Sequence, residues 1–248
     1  AQYIRSLDPY RHPITVHTYS DQALTFYDGI LGDQNFEATS IQGSMNRYNH
    51  EAITLRQRSA DAGRKWAIFG DEQAPAGRGV LPDVDDPGHD EPRQNGLWGN
   101  LMGGGSGVEW YFGHQFPHMD INCEDWRSRD RMWDQTRHAI TFFHEYLPFT
   151  QMQPDNKLLR GSEGYCFASP GKVYAVYLRN CEKAAELNIG AGAYEIHWYN
   201  PREGGQLQTG SIERIEGSGW RSVGTPPNDA DQDWVILVSV PSLLKNSD

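Results

Sequence analysis

Two adjacent carboxylates, Asp71 and Glu72, follow the apolar run Trp66-Ala67-Ile68-Phe69 and Gly70 in the stretch Lys65 to Gln73, KWAIFGDEQ. Four apolar residues in succession, without alternation, describe a strand covered on both faces, as in a parallel sheet flanked by helices. Acids directly after such a strand lie at its carboxyl end, where parallel α/β folds carry their chemistry. Paired carboxyl groups can do acid/base or nucleophilic work when one is protonated and the other ionised. Glu72 is the first candidate for an acting carboxylate, with Asp71 as its competitor or as a hydrogen-bonding support. The alternative is that both acids merely cap the strand end.

Other polar groups fall at similar places. His17 ends the β-rich segment Ile14-Thr15-Val16-His17-Thr18, and Ser40 and Gln42 lie at the exit of Phe36 to Gln42. His17 and Gln42 there could hold sugar hydroxyls, although a lone His is as readily a satisfied structural residue. Glu109, Trp110 and Tyr111 follow Val108, where an aromatic ring could floor a sugar subsite or simply pack in the core. The loop with Asp83, Asp85, Asp86, His89 and Asp90 offers hard oxygen ligands without the spacing of a Ca²⁺ loop, and reads as a solvated rim or a substrate-contacting lid. Gly103 to Gly107 follow a helical stretch and lack a succeeding Lys-Ser/Thr, so they do not make a phosphate loop. No G-x-S-x-G elbow supports a serine hydrolase. No metal site and no cofactor is expected.

The elements that must position these groups alternate in type. Tyr3 to Leu7 reads as the end of a helix stopped at Asp8-Pro9. Asn46 to Ala62 places Ala52, Leu55, Ser59 and Ala60 on one helical face and stops at Gly63. Pro92 to Met102 is helical, with proline in its first turn. Val108 to Phe112 is a fourth strand, and Arg131 to Tyr146 a helix ended by Pro148. Beyond this point short strands follow one another between Gly, Pro and Asn turns: Gly164–Ala168, Val173–Leu178, Tyr194–Tyr199, Gly210–Ile215 and Trp234–Val240. Such spacing predicts a small antiparallel β-sandwich over residues 151–248, after an α/β region over 1–150.

Composition excludes some functions. With 22 basic against 33 acidic residues, a formal charge of −11 and no basic cluster, nucleic acid is not an expected partner. No apolar run is long enough to span a membrane. Cys123, Cys166 and Cys181 lack metal-type spacing and read as buried free thiols, with Cys166 and Cys181 the one plausible disulfide. The chain begins with Ala and reads as a processed or truncated product. The missing secretory signal therefore leaves location open, a secreted or periplasmic protein being the expectation.

The segments DPYRHPITVHT, FEATSIQG, WAIFGDEQ, LWGNLMGGGSGVEWYFG and MWDQTRHAITFF, followed by YAVYL and WYNPREGG, resemble glycoside hydrolases of the apiosidase-like group. The resemblance covers most of the chain. It implies that residues 1–150 are the second half of a (β/α)₈ barrel, strands five to eight, followed by a collagen-binding-type β-sandwich. It implies further that Glu72, at the end of the seventh strand, is the nucleophile of a retaining hydrolase acting on a poly- or oligosaccharide. The acid/base carboxylate would then come from an N-terminal half of the barrel, in the same or a second chain. A non-catalytic carbohydrate-binding or structural protein is the alternative, because a fold does not dictate its function.

Overall fold

The computed structural model describes residues 1–19, 21–115, 119 and 125–243. Cys123 lies outside these residues. The chain divides into two compact units, Ala1–Arg131 and Met132–Asp248.

In the first unit, α1 (Gln2–Leu7) and α2 (Ala23–Asp28) precede β1 (Ile41–Gly43), α3 (Tyr48–Asp61) and β2 (Phe69–Gln73). A π-helical turn, Pro92–Trp98, continues into α4 (Gly99–Met102) and β3 (Gly107–Val108). The three strands form a parallel sheet in the order β1-β2-β3, and isolated parallel bridges join His17 to Ser40 and Ala38 to Ala67. α3 forms where its apolar spacing predicts, burying Ala52, Leu55 and Ser59. Its core partners are Tyr27, Ile41, Trp66 and Ile68. α2 has no counterpart among the elements expected from sequence.

The expectation of a half barrel is overturned. Four strand-helix units were expected, whereas the described residues hold a three-stranded parallel sheet with strands of three, five and two residues. Side chains replace the ladder at several points. Phe69 N donates to Thr39 Oγ1, which donates to Phe69 O, and the register shifts between Ile41 and Gln42. The Gln73 amide donates to Glu109 O and accepts from Tyr111 N, so the strand expected over Val108–Phe112 ends at Val108. The Trp66–Phe69 run is also one-sided: Trp66 and Ile68 are buried while Phe69 is exposed. A ladder only a few residues long, covered on one face, is a small open sheet.

The second unit carries α5 (Asp130–Tyr146), most of which lies within it, then β4 (Gln153–Pro154), β5 (Leu159–Arg160), β6 (Gly164–Ser169), β7 (Val173–Leu178), β8 (Glu186–Tyr199), β9 (Arg214–Ser222) and β10 (Trp234–Ser239). The strands make one seven-stranded sheet in the order β4-β6-β7-β10-β8-β5, with β9 paired to β8. All seven strands share one hydrogen-bonded ladder, whose named pairs are antiparallel, which fits the antiparallel β domain expected over this part of the chain. The 14-residue β8 connects its parts: residues 195–199 pair with β10, residues 186–187 with β5, and an irregularity falls between Ile189 and Gly192. Leu187 and Ile189 consequently share a core with Tyr174, Val176, Trp198 and Trp234. β7 and β10 are buried at every position, which explains their unbroken apolar sequences. Cys166 and Cys181 are buried free thiols.

One face of this sheet is covered by α5, whose Met132, Gln135, Ala139, Phe142 and Phe143 are buried at helical spacing. Phe142 lies 5.0 Å from Tyr199 and Phe143 6.1 Å from Phe167 between ring centroids, and Tyr199 Oη donates to His138 O at 2.9 Å. Replacing the fully buried Phe142 by Ala removes the ring and leaves a cavity, an expected loss of about 3–5 kcal/mol in denaturant unfolding. A loss below about 1 kcal/mol would show that α5 is not a structural part of this core.

Candidate functional site

The bridge at His17, β1 and β2 bring His17, Ser40, Gln42, Asp71 and Glu72 together. Both acids lie within β2 and not beyond its end. Gln42 is the register partner of Glu72 across the β1–β2 ladder, and its Nε2 donates to Glu72 Oε1 at 2.6 Å. His17 Nε2 faces Glu72 Oε2 at 3.2 Å. On its other side His17 Nδ1 meets Ser40 Oγ at 2.9 Å, and the Ser40 hydroxyl donates to Asp71 Oδ2. Asp71 Oδ1 has no hydrogen-bond donor and lies 3.7 Å from His17 Nδ1.

The directions of these bonds constrain the protons. Ser40 gives its single hydroxyl proton to Asp71, so it accepts from His17 Nδ1–H. The opposite ring nitrogen stands 3.2 Å from Glu72 Oε2, at ion-pair distance, on a side chain about half exposed.

The support beneath these groups comes from residues distant in sequence. Tyr27 Oη, supplied by α2, donates to Val16 O and accepts from Ser40 N, both at 2.7 Å, tying the His17 segment to the strand that carries Ser40. Burial holds the Tyr27 hydroxyl above the ordinary phenol range. Glu37 clamps the other end of that segment: its Oε2 accepts from Ile14 N at 2.8 Å, and its carboxylate pairs with Arg5 and Arg64. Tyr48, from α3, directs its hydroxyl to Glu72 O at 3.3 Å. Burial, followed by the nearby charges of Asp71, Glu51, Glu72 and Asp21, keeps that hydroxyl un-ionised far into the alkaline range. Tyr48 reaches β2 because Gly70 has no side chain, since a Cβ there would run into the Tyr48 ring. Gly70→Ala should displace Tyr48 and loosen Glu72, seen as lower Tm and lower function together. An unchanged Tm would remove Gly70 from this role.

Beside the site, Glu51 is wholly buried on α3. Its Oε1 accepts from Arg47 Nε at 3.1 Å, and its Oε2 has no partner. Burial, against the opposing pull of Arg47, raises its pKa above the ordinary carboxylate value. A raised folded-state pKa means that the native state holds this proton more tightly than the unfolded chain. Its contribution to stability is complete below the unfolded value near 4.5 and is lost as pH rises through the folded value. Unit 1 should therefore lose stability as pH climbs above about 4.5, and Glu51→Gln should flatten that slope. Parallel pH–Tm curves for the two proteins would contradict this.

Of the other residues expected at a site, Glu109 is exposed and Trp110 buried, and no side-chain contact joins either to Glu72 among the described pairs. Tyr111 is half-buried and joined to the site through its backbone, by way of Gln73. The acidic loop departs from a solvated rim at His89, which is fully buried with Nε2 2.7 Å from Asp83 Oδ1. Among the described residues no group of three or more His, Cys, Asp or Glu side chains is arranged to hold a metal ion. Sequence reasoning left Tyr27, Tyr48 and Gln73 unassigned. Tyr27 sits on a helix that no periodicity marks, and Tyr48 reads simply as a residue of α3. Ser40, noted only as lying at a strand exit, could have been paired with Gln42 from the two-residue repeat of a strand.

Gln42 also lines an open groove of about 590 Å³ with Tyr19, Ser44, Asn46, the Ala74–Ala76 turn and Glu91. The groove and the carboxylate cluster thus share one side chain.

Residues 154–239 match a family model described as "Putative collagen-binding domain of a collagenase". The matched segment falls inside the second unit and runs from β4 to β10. No curated protein matches the chain. Among the described residues no helix is long and apolar enough to cross a membrane.

Proposed function

We propose that this chain takes part in hydrolysis of a glycosidic bond in a poly- or oligosaccharide, with Glu72 as the ionised carboxylate. The observation that carries the reading is the pair of contacts at Glu72: Oε1 faces the Gln42 amide at 2.6 Å and Oε2 faces His17 Nε2 at 3.2 Å. A carboxylate held on one oxygen by an amide donor and facing an imidazole nitrogen at ion-pair distance on the other is suited to attack the anomeric carbon or to activate water. Asp71 acts through Ser40 and His17 as a positioning residue. The leaving-group proton then comes from a second carboxyl about 5 Å away if Glu72 is a nucleophile.

That second carboxyl is proposed to come from a further polypeptide segment, in the same or a second chain. The reading is supported by α1, which buries no residue: Tyr3, Ile4 and Leu7 are all exposed, as is Tyr10 just beyond it. Apolar side chains grouped in this way mark a surface that another segment covers. Light scattering on the purified chain should show association. A monodisperse monomer would argue against a missing segment.

A second reading is favoured by the family match: the unit containing residues 154–239 binds a polymeric ligand, and the chain as a whole is a non-catalytic binding or structural protein. The two readings part at Glu72. Loss of turnover with retained sugar affinity in Glu72→Gln supports hydrolysis, whereas a chain that binds without any turnover supports the second.

A further inference from the structure

We infer that the groove beside the carboxylate cluster is a saccharide subsite selective for neutral sugars and against uronic acids. This deepens the carbohydrate reading above and rests on it, but it does not require that the chain hydrolyse anything.

The groove joins the three kinds of surface that a neutral sugar ring uses. Tyr19 lines it with 75 % of its surface exposed, far more than a core aromatic, an aromatic surface of the kind on which the C–H groups of a pyranose or furanose stack. Gln42, Ser44 and Asn46 supply amide and hydroxyl groups for the ring hydroxyls. Asn46 is exposed, and no described residue bonds its side chain. Ser44 is held in place by Asp21, whose Oδ1 accepts from Ser44 N at 2.9 Å and whose Oδ2 accepts from Ser44 Oγ at 3.1 Å. The volume of about 590 Å³ falls within the range of small-ligand sites.

Charge decides which sugars enter. Glu91 lines the groove, is exposed and has no ion-pair partner among the described residues. Its described lining includes no Lys or Arg. Glu72 lies just behind Gln42, with Asp71 next to it in the chain, and the chain as a whole carries −11. A uronate would bring its carboxylate into this field with no Lys or Arg in the groove's own lining to receive it, whereas a neutral sugar meets no such opposition. Gln42 adds a link to the reacting centre. Its Nε2 is already committed to Glu72, so a sugar bonded to its Oε1 lies one side chain away from that carboxylate.

The test uses the unaltered full chain, with the probes checked for cleavage after each titration, and xylohexaose, cellohexaose, mannohexaose and arabinohexaose as neutral probes and trigalacturonate as the acidic one. Titration calorimetry at low salt should show binding of at least one neutral probe in preference to trigalacturonate. Tyr19→Ala should weaken that binding about tenfold without lowering Tm. Glu91→Lys should raise affinity for trigalacturonate several-fold while changing the neutral probe less. Preference of the unaltered groove for trigalacturonate, binding indifferent to both Tyr19 and Glu91, or no binding of any probe would each overturn the inference. Tyr19-dependent binding by a chain that never hydrolyses would leave this inference standing and remove the hydrolase reading alone.

Discussion

On the proposed hydrolase reading, Glu72→Gln is expected to lower turnover at least about 10²-fold, the lower end of what a positioned carboxyl contributes, while sugar affinity stays within a few-fold of the parent. The substitution keeps the shape of the side chain and the facing Gln42 amide, which can turn to pair with the new amide. What it removes is the negative charge that meets His17 Nε2 at 3.2 Å and the electron pair needed at the anomeric carbon. Asp71→Asn should cost less, because Asp71 reaches His17 chiefly through Ser40. Turnover surviving Glu72→Gln unchanged would take Glu72 out of the mechanism. Equal losses from the two substitutions would mean that the carboxylates act as one unit.

The second large effect belongs to stability. Asp233 is fully buried in the β unit, where its carboxylate accepts from the Tyr177 hydroxyl and pairs with Arg202 Nη1 at 3.3 Å. Arg202 is itself only 10 % exposed, lies over the Trp234 ring at 5.4 Å, and also donates to the Asp233 carbonyl. Asp233→Ala would take the buried anion from the Tyr177 phenol and leave the Arg202 guanidinium only the exposed Asp229 at 3.5 Å. The expected loss is about 3–5 kcal/mol in urea or guanidinium unfolding. Arg202→Met added to that variant should recover part of the loss, because it removes the orphaned charge. A single-variant loss under about 1 kcal/mol, or strictly additive losses, would show that the three groups are not one buried network.

Much of the secondary structure was legible locally. The helix over residues 48–61 follows from its apolar spacing and the Gly63 stop, and α5 from its stripe and Pro148. Val173–Leu178 and Trp234–Ser239 follow from unbroken apolar runs between turn residues. The carboxylate pair and its neighbours His17 and Gln42 could be singled out because polar residues directly after apolar runs mark strand ends. Where strand pairing had to be known, the sequence misled. Short apolar runs separated by helices read as four ladders of a half barrel, but Thr39 and Gln73 divert backbone groups that those ladders would need. Nothing in a threonine or a glutamine taken alone announces that exchange.

The types of the groups able to act, and the periodicity of the helices beside them, were determined by the sequence alone, because both depend on neighbours within a few residues. The tertiary structure alone decided that Tyr27 and Tyr48 brace the site, that seven strands share one sheet, and that Gln42 faces both Glu72 and an open groove. Those outcomes join residues some 13 to 56 positions apart. Such pairings are chosen by packing and by the need to give every buried polar group a partner, and no local pattern encodes them.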